Sequence, residues 1–220
     1  MNEHALRAEI CRVGRSLHDR GYVQGSAGNI SVRLEADAGF LVTPTDACLG
    51  RLDPAELAHV LPSGEQIGGM RASKSLALHR GIYAADPDAG CVVHTHSTHL
   101  VALTLSDGGP ADDILPPITP YYVMKVGHVP LIAYHRPGDP AVAELVVARI
   151  RAGQARGTPI RAVMLERLGP NVWHRTPAEA SDVLEELEET ARLWLLCSPR
   201  PQALGTEQIA ELRRTFGARW

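Results

Sequence analysis

Cys91-Val92-Val93-His94-Thr95-His96-Ser97-Thr98-His99 decides the fold. Its first four residues are a short apolar, β-branched run bounded by Gly90, which predicts a buried strand near the centre of a sheet. Histidines follow at i and i+2. In an extended segment such positions face the same way, about 6.6 Å apart along the strand, so their imidazoles can converge on one metal ion. The competing reading of a lone His-x-His is a solvated or hydrogen-bonded pair. A place at the end of a buried strand, where sites in α/β folds gather, puts the metal reading on an equal footing with it. His99 is odd-spaced relative to both and is expected to pack or hydrogen-bond nearby.

Outward from this strand, helical and extended patterns interleave. Leu6, Ile10, Val13 and Leu17 lie on one face of an opening helix that Gly21 can end. Ile30-Ser31-Val32 and Phe40-Leu41-Val42-Thr43 flank a polar turn and predict a hairpin. Asp53-Pro54 offers an N-cap followed by proline, predicting a short helix closed by Pro62-Ser63-Gly64. Ser73 to Ala85 carries the stripe Leu76, His79, Ile82 and Tyr83. After the proline-rich stretch Pro110 to Pro120 come a strand near Val129 to Ala133, a helix from Asp139-Pro140 and a strand from Ile160 to Leu165. Thr176-Pro177-Ala178-Glu179 is a capping box before a long helix with Val183, Leu184, Leu187, Ala191 and Trp194 on its apolar face. Thr206 to Phe216 predicts a last helix. This order predicts one domain over residues 1–220, with α/β/α layers around one mixed sheet.

Composition excludes several functions. The formal charge of -3 over 220 residues gives no footprint for nucleic acid or a membrane surface, and no apolar run suits a membrane span. The N-terminus lacks a signal pattern, so a cytoplasmic location is expected. Cys11, Cys48, Cys91 and Cys197 are far apart with no CxxC pair, which argues against a disulfide framework or thiolate metal site.

Three further segments suit a small anion. Gly25-Ser26-Ala27-Gly28-Asn29-Ile30-Ser31 is a glycine-flanked loop feeding a strand, able to present backbone N–H groups to a phosphate; its alternative reading is a plain tight turn. Thr43-Pro44-Thr45-Asp46 and Ser73-Lys74-Ser75 add hydroxyls, an ammonium and a helix start, though each could be only a cap.

With Leu115-Pro116-Pro117-Ile118-Thr119-Pro120-Tyr121-Tyr122-Val123-Met124 and Tyr134 to Asp139, these segments resemble the class II aldolase/adducin-like family from the first helix to about Leu196. The likeness is greatest to its 3-oxo-tetronate 4-phosphate decarboxylase branch, with L-fuculose-phosphate aldolase next. It implies a three-layer α/β/α fold, a homotetramer with sites between subunits, and carbon–carbon lyase chemistry in which zinc stabilises an enediolate. It also implies that Asn29, Thr45 and Ser73, with Lys74 nearby, surround a substrate phosphate, that His94 and His96 are two of three zinc ligands, and that Tyr122 reaches a neighbouring subunit's site.

Two positions depart from that pattern. The family's acid/base glutamate belongs where Ser75 stands, and its third zinc histidine belongs at Leu168, just before Gly169-Pro170. A serine hydroxyl is too weak an acid to carry protons unassisted, and leucine ligates nothing. Glu166, two residues back on the same face of an extended segment, is the candidate replacement ligand and would make a set suited to iron. His128, His135 and His174 are the alternatives. The resulting expectation is a divergent lyase for a small, anionic, phosphorylated sugar or sugar acid, with zinc held weakly or not at all. The alternatives are a silent binding or assembly protein, an enzyme with new chemistry in the same pocket, and an ordinary lyase of the family in which the third ligand is not at Leu168.

Overall fold

The computed structural model describes residues 2–105 and 112–220. α1 (Glu3–Asp19) begins where the Asn2 side chain accepts a 2.8 Å hydrogen bond from the Ala5 amide, and ends before Gly21 at φ +76°. The predicted hairpin forms as β1 (Asn29–Arg33) and β2 (Phe40–Val42), paired antiparallel. After it the expectation fails: Asp53 caps only one 3₁₀ turn, and a second hairpin follows, β3 (Ala58–Val60) with β4 (Gln66–Gly68). The apolar Ala58 and Val60 pack against Leu76, which a helix here would not allow, so Pro62-Ser63-Gly64 is a turn between strands and not a helix stop.

α2 (Leu76–Ala85) leads into β5 (Cys91–His94), whose four residues are buried as the sequence predicts. α3 (Thr98–Leu103) follows, unforeseen because its six residues are too short for a periodic signal. Pro110 and Ala111 of the proline-rich stretch lie outside the described residues. Next come a π-helical turn at Tyr122–Val126, β6 (Leu131–Ile132), α4 (Ala141–Ala155) and β7 (Ala162–Leu165). β8 (Gly169–His174) was not foreseen, since Gly169-Pro170-Asn171 reads as a loop. α5 (Pro177–Leu196) starts at Thr176, whose hydroxyl accepts from the Glu179 amide at 3.2 Å, and α6 (Thr206–Phe216) is the last element.

The strands form one mixed sheet in the order β4-β3-β2-β1-β5-β8-β7-β6, antiparallel except between β6 and β7. Alternate residues serve opposite layers. Ile30, Cys91, Val93 and Val172 pack with Ile10 and Leu17 of α1 and Leu184 and Leu187 of α5. Val92, Val163 and Trp173 pack with Ile82 and Tyr83 of α2 and Val146 and Ile150 of α4. No helix among the described residues is long and apolar enough to cross a membrane.

β8 meets the His94-Thr95-His96 segment so closely that a side chain at Gly169 has no room. The residue sits at φ +136°, and a Cβ would lie 2.0 Å from the Thr95 carbonyl oxygen. Gly169→Ala is therefore expected to cost about 1–3 kcal/mol for backbone strain alone, and more for overlap. Gly157→Ala, at φ +73° with nothing within 4 Å, should cost about 1–2 kcal/mol. Urea unfolding of the two variants tests this; equal losses would show that the contact at Thr95 yields without cost.

Candidate functional site

Three strands place three polar side chains in a row. Asn29 of β1 pairs with His94 of β5, which pairs with Asn171 of β8. All three point toward α2, because Ser31, Val92 and Trp173, each two residues along, pack on that side. Above them His79 of α2 is fully buried. Its Nδ1 lies 2.8 Å from the Ser31 hydroxyl, which also contacts Tyr83 Oη at 2.7 Å, while Tyr83 donates to the Ser31 carbonyl at 2.9 Å. Among the described residues, the buried side-chain nitrogen and oxygen atoms lacking a partner are Asn29 Oδ1, His79 Nε2 and both of Asn171. Asn171 is near enough to His79 to favour its protonation slightly, yet the two make no hydrogen bond of good geometry. An unpartnered buried polar group costs about 1–3 kcal/mol. The sequence marked His79 only as part of an apolar stripe, and Asn171 could have been noticed only had β8 been recognised.

His94 Nδ1 donates to the Pro170 carbonyl at 2.9 Å, leaving Nε2 with its lone pair. The His94 and His96 rings lie 5.1 Å apart, centroid to centroid. Burial, then His96, pushes His94 down to about 4, and burial lowers His96, so both are neutral at neutral pH and able to donate to a metal. Among the described residues no third donor stands beside them. Leu168 packs against the apolar cluster shared by α2 and α4. Glu166 is drawn away: its carboxylate accepts from the Tyr134 amide at 2.8 Å, beyond the end of β6. His128 bonds Asp113 at 2.6 Å, His135 lies 3.5 Å from Asp139, and His174 bonds Glu179 at 2.9 Å. Among the described residues no three His, Cys, Asp or Glu side chains are grouped to hold a metal ion. The donor set does not fit a catalytic zinc, which takes three protein ligands. His99 is bound as expected, its ring and amide both donating to Glu188.

The anion-binding segments do converge. Asn29 Nδ2 donates to the Ser75 hydroxyl at 3.1 Å, the Ser75 amide to the Ser73 hydroxyl at 3.3 Å, and the Ser73 amide to the Thr43 carbonyl at 3.2 Å. The Thr45 amide donates to Arg71, and Pro44 bridges to Ala72. Gly28 is at φ +81°, where a Cβ would come within 2.8 Å of the His94 carbonyl oxygen. The loop, the turn and the start of α2 thus meet beside His94, with exposed Lys74 at the rim. Tyr122, expected to reach outward, is instead fully buried, with its hydroxyl toward Asp113 at 3.4 Å, whereas its neighbour Tyr121 is 61% exposed.

Comparison with known proteins agrees with this geometry. The profile of the family described as Class II Aldolase and Adducin N-terminal domain matches residues 8–195. A 3-oxo-tetronate 4-phosphate decarboxylase from Cupriavidus necator is 56% identical, with 99% of each chain covered. An L-fuculose phosphate aldolase from Methanocaldococcus jannaschii is 31% identical over 86% of this chain and 96% of its own. The crystal structure of Escherichia coli YgbL, described as a candidate aldolase/epimerase/decarboxylase, superposes with a TM-score of 0.87 at 39% identity, covering 96% of this chain and 99% of that one.

The buried histidines make stability depend on pH. His79 is pushed down to about 3 by burial and then by His94, and His94 to about 4, both from an ordinary value of 6.5. The unfolded chain therefore binds more protons below about pH 6.5. Stability is complete above that value and declines as the pH falls toward 4, by about 1.4 kcal/mol per pH unit for each group. Urea unfolding between pH 7 and 4.5, with a chelator present, should show this slope, and His79→Gln should remove about half of it. A slope that the substitution leaves unchanged would mean that His79 is not the buried neutral base described.

Proposed function

The chain belongs to the class II aldolase and adducin family, and on that premise we propose that it binds a small phosphorylated sugar or sugar acid but has departed from zinc-dependent carbon–carbon bond cleavage. The phosphate is held by Asn29, Thr45 and Ser73 at the start of α2, with Lys74 closing over it. The observation that carries the departure is the pairing of Leu168 with Ser75. Where a third ligand is needed beside His94 and His96, the side chain is a half-buried leucine packed against the apolar cluster. Where a proton carrier is needed, a hydroxyl accepts a hydrogen bond from Asn29. Neither replaces what zinc-dependent lyase chemistry requires. If the protein turns over substrate, the reaction is of the lyase class of its relatives. A homotetramer is part of the same reading.

A silent binding protein is the rival reading, favoured by the Asn29 to Ser75 hydrogen bond, which ties the two polar groups nearest the pocket to each other. Turnover separates the two.

The loss of ligand and the loss of proton carrier have different signatures. The unmodified protein should retain substoichiometric zinc by elemental analysis and show little decarboxylase or aldolase activity. Leu168→His should raise zinc content without restoring much turnover, because a missing acid/base slows chemistry by roughly 10²–10⁴-fold even in a loaded site. Leu168→His with Ser75→Glu should restore activity on a sugar-acid phosphate. Tightly held stoichiometric zinc in the unmodified protein would overturn the metal half, and brisk turnover the other.

A further inference from the structure

The end of the sheet remote from His94 carries a second cavity, of about 470 Å³. Its walls are the loop between α2 and β5, the loop between α4 and β7, and the end of β8, with Arg219 of the C-terminal segment on its rim. Cys91 of β5 pairs with His174 at this end, whereas His94 pairs with Asn171 at the other. Three residues of strand, about 10 Å, separate the two sites.

Three guanidiniums line the cavity: Arg161, Arg175 and Arg219. Arg175 has a partner, Glu179, at 3.0 Å. Arg161 and Arg219 have no side-chain hydrogen bond or ion pair among the described residues. Burial and then the nearness of Arg219 and Arg175 push the Arg161 pKa down, so the like charges oppose one another across the cavity. The nearby carboxylate does not resolve this. Asp86 uses one oxygen to accept from Trp173 Nε1 at 2.9 Å and the other to accept from the Asp88 amide at 3.1 Å. Beyond the two arginines a smaller hollow of about 50 Å³ adds Lys125, so they stand between two openings. Asp86, Asp88 and Glu179 offset only part of this charge, since burial and the other arginines still hold the Arg161 pKa down; an anion would join Arg161 and Arg219, whose planar forks suit the oxygens of a phosphate.

We propose that this cavity binds a phosphate-bearing small molecule through Arg161 and Arg219, at a site separate from the pocket at Asn29 and Ser73. Pro87, Pro159 and Ile160 supply apolar wall for its organic part, and the volume is within the range of small-molecule sites.

The test uses inorganic phosphate, with chloride at matched ionic strength as control, on protein carrying Ser73→Ala and Lys74→Ala so that the first pocket is silent. A saturable rise of the thermal midpoint with phosphate is expected in this background, and it should vanish on adding Arg161→Gln and Arg219→Gln. Without phosphate the added substitutions should not lower the midpoint, since they remove like-charge repulsion. Arg161→Lys, which keeps the charge and loses the fork, should weaken phosphate binding several-fold and keeps the test open if the glutamine variants do not fold. No saturable rise in the silenced background, or a rise that survives both glutamines, would overturn the site. So would a change of oligomeric state on substitution without a change in phosphate response, because the arginines would then face a neighbouring copy's carboxylates.

Discussion

The hydrogen bond from His94 Nδ1 to the Pro170 carbonyl holds the site in register with the sheet. It exists because β8 lies directly beside β5, and β8 can approach only because Gly169 has no side chain to strike Thr95. The same bond selects the tautomer that keeps the Nε2 lone pair free. With His94 fixed, its cross-strand neighbours Asn29 and Asn171 are fixed too, and α2 closes over all three through His79, Ser31 and Tyr83. A central strand, a glycine and a helix thus orient groups that lie far apart in sequence.

This arrangement is costly in folding terms. The row Asn29, His94 and Asn171 occupies positions that in the next row are filled by Val92 and Trp173, both fully buried. Burying an apolar side chain contributes about 1.5–3 kcal/mol, whereas an unpartnered amide costs about 1–3 kcal/mol. Four unpartnered buried atoms in one small region are therefore a concession of stability confined to the place where anion donors and neutral imidazoles meet. The arginine cavity at the opposite end concedes stability in another way, by holding like charges together.

Much of this was legible from local pattern. The β5 run, the first hairpin, the apolar face of α1, the capped start of α5 and the His-x-His pair each follow from spacing that needs no tertiary information. The misreadings share a cause. Asp53-Pro54 is a true cap, but its helix stops after one turn because Ala58 and Val60 gain more as an extended segment packed with Leu76. Gly169-Pro170 looks like a loop, and only the neighbouring strand makes it one end of β8. Tyr121 and Tyr122 are adjacent and chemically alike, so which ring is buried depends on a π-helical turn that carries no periodic signal. Glu166 follows β7, two strands from the β5 of His94, and its carboxylate accepts from the Tyr134 amide beyond β6, one strand farther still.

Leu168 stands in a tight turn, packs against the apolar cluster of α2 and α4, and precedes Gly169, which lies against Thr95 and His96. A polar ligand there would have to leave that cluster and stand over the two imidazoles, whereas leucine gains by turning the other way. The half-buried Leu168 side chain packs against that cluster. Ser75 is the complementary case: it stays in the pocket, but as a short hydroxyl that accepts from Asn29 and cannot extend toward a substrate as a longer carboxylate would. Beside the anion segments stand amides, hydroxyls, the two imidazoles and the exposed Lys74 ammonium, groups suited to orienting a bound molecule.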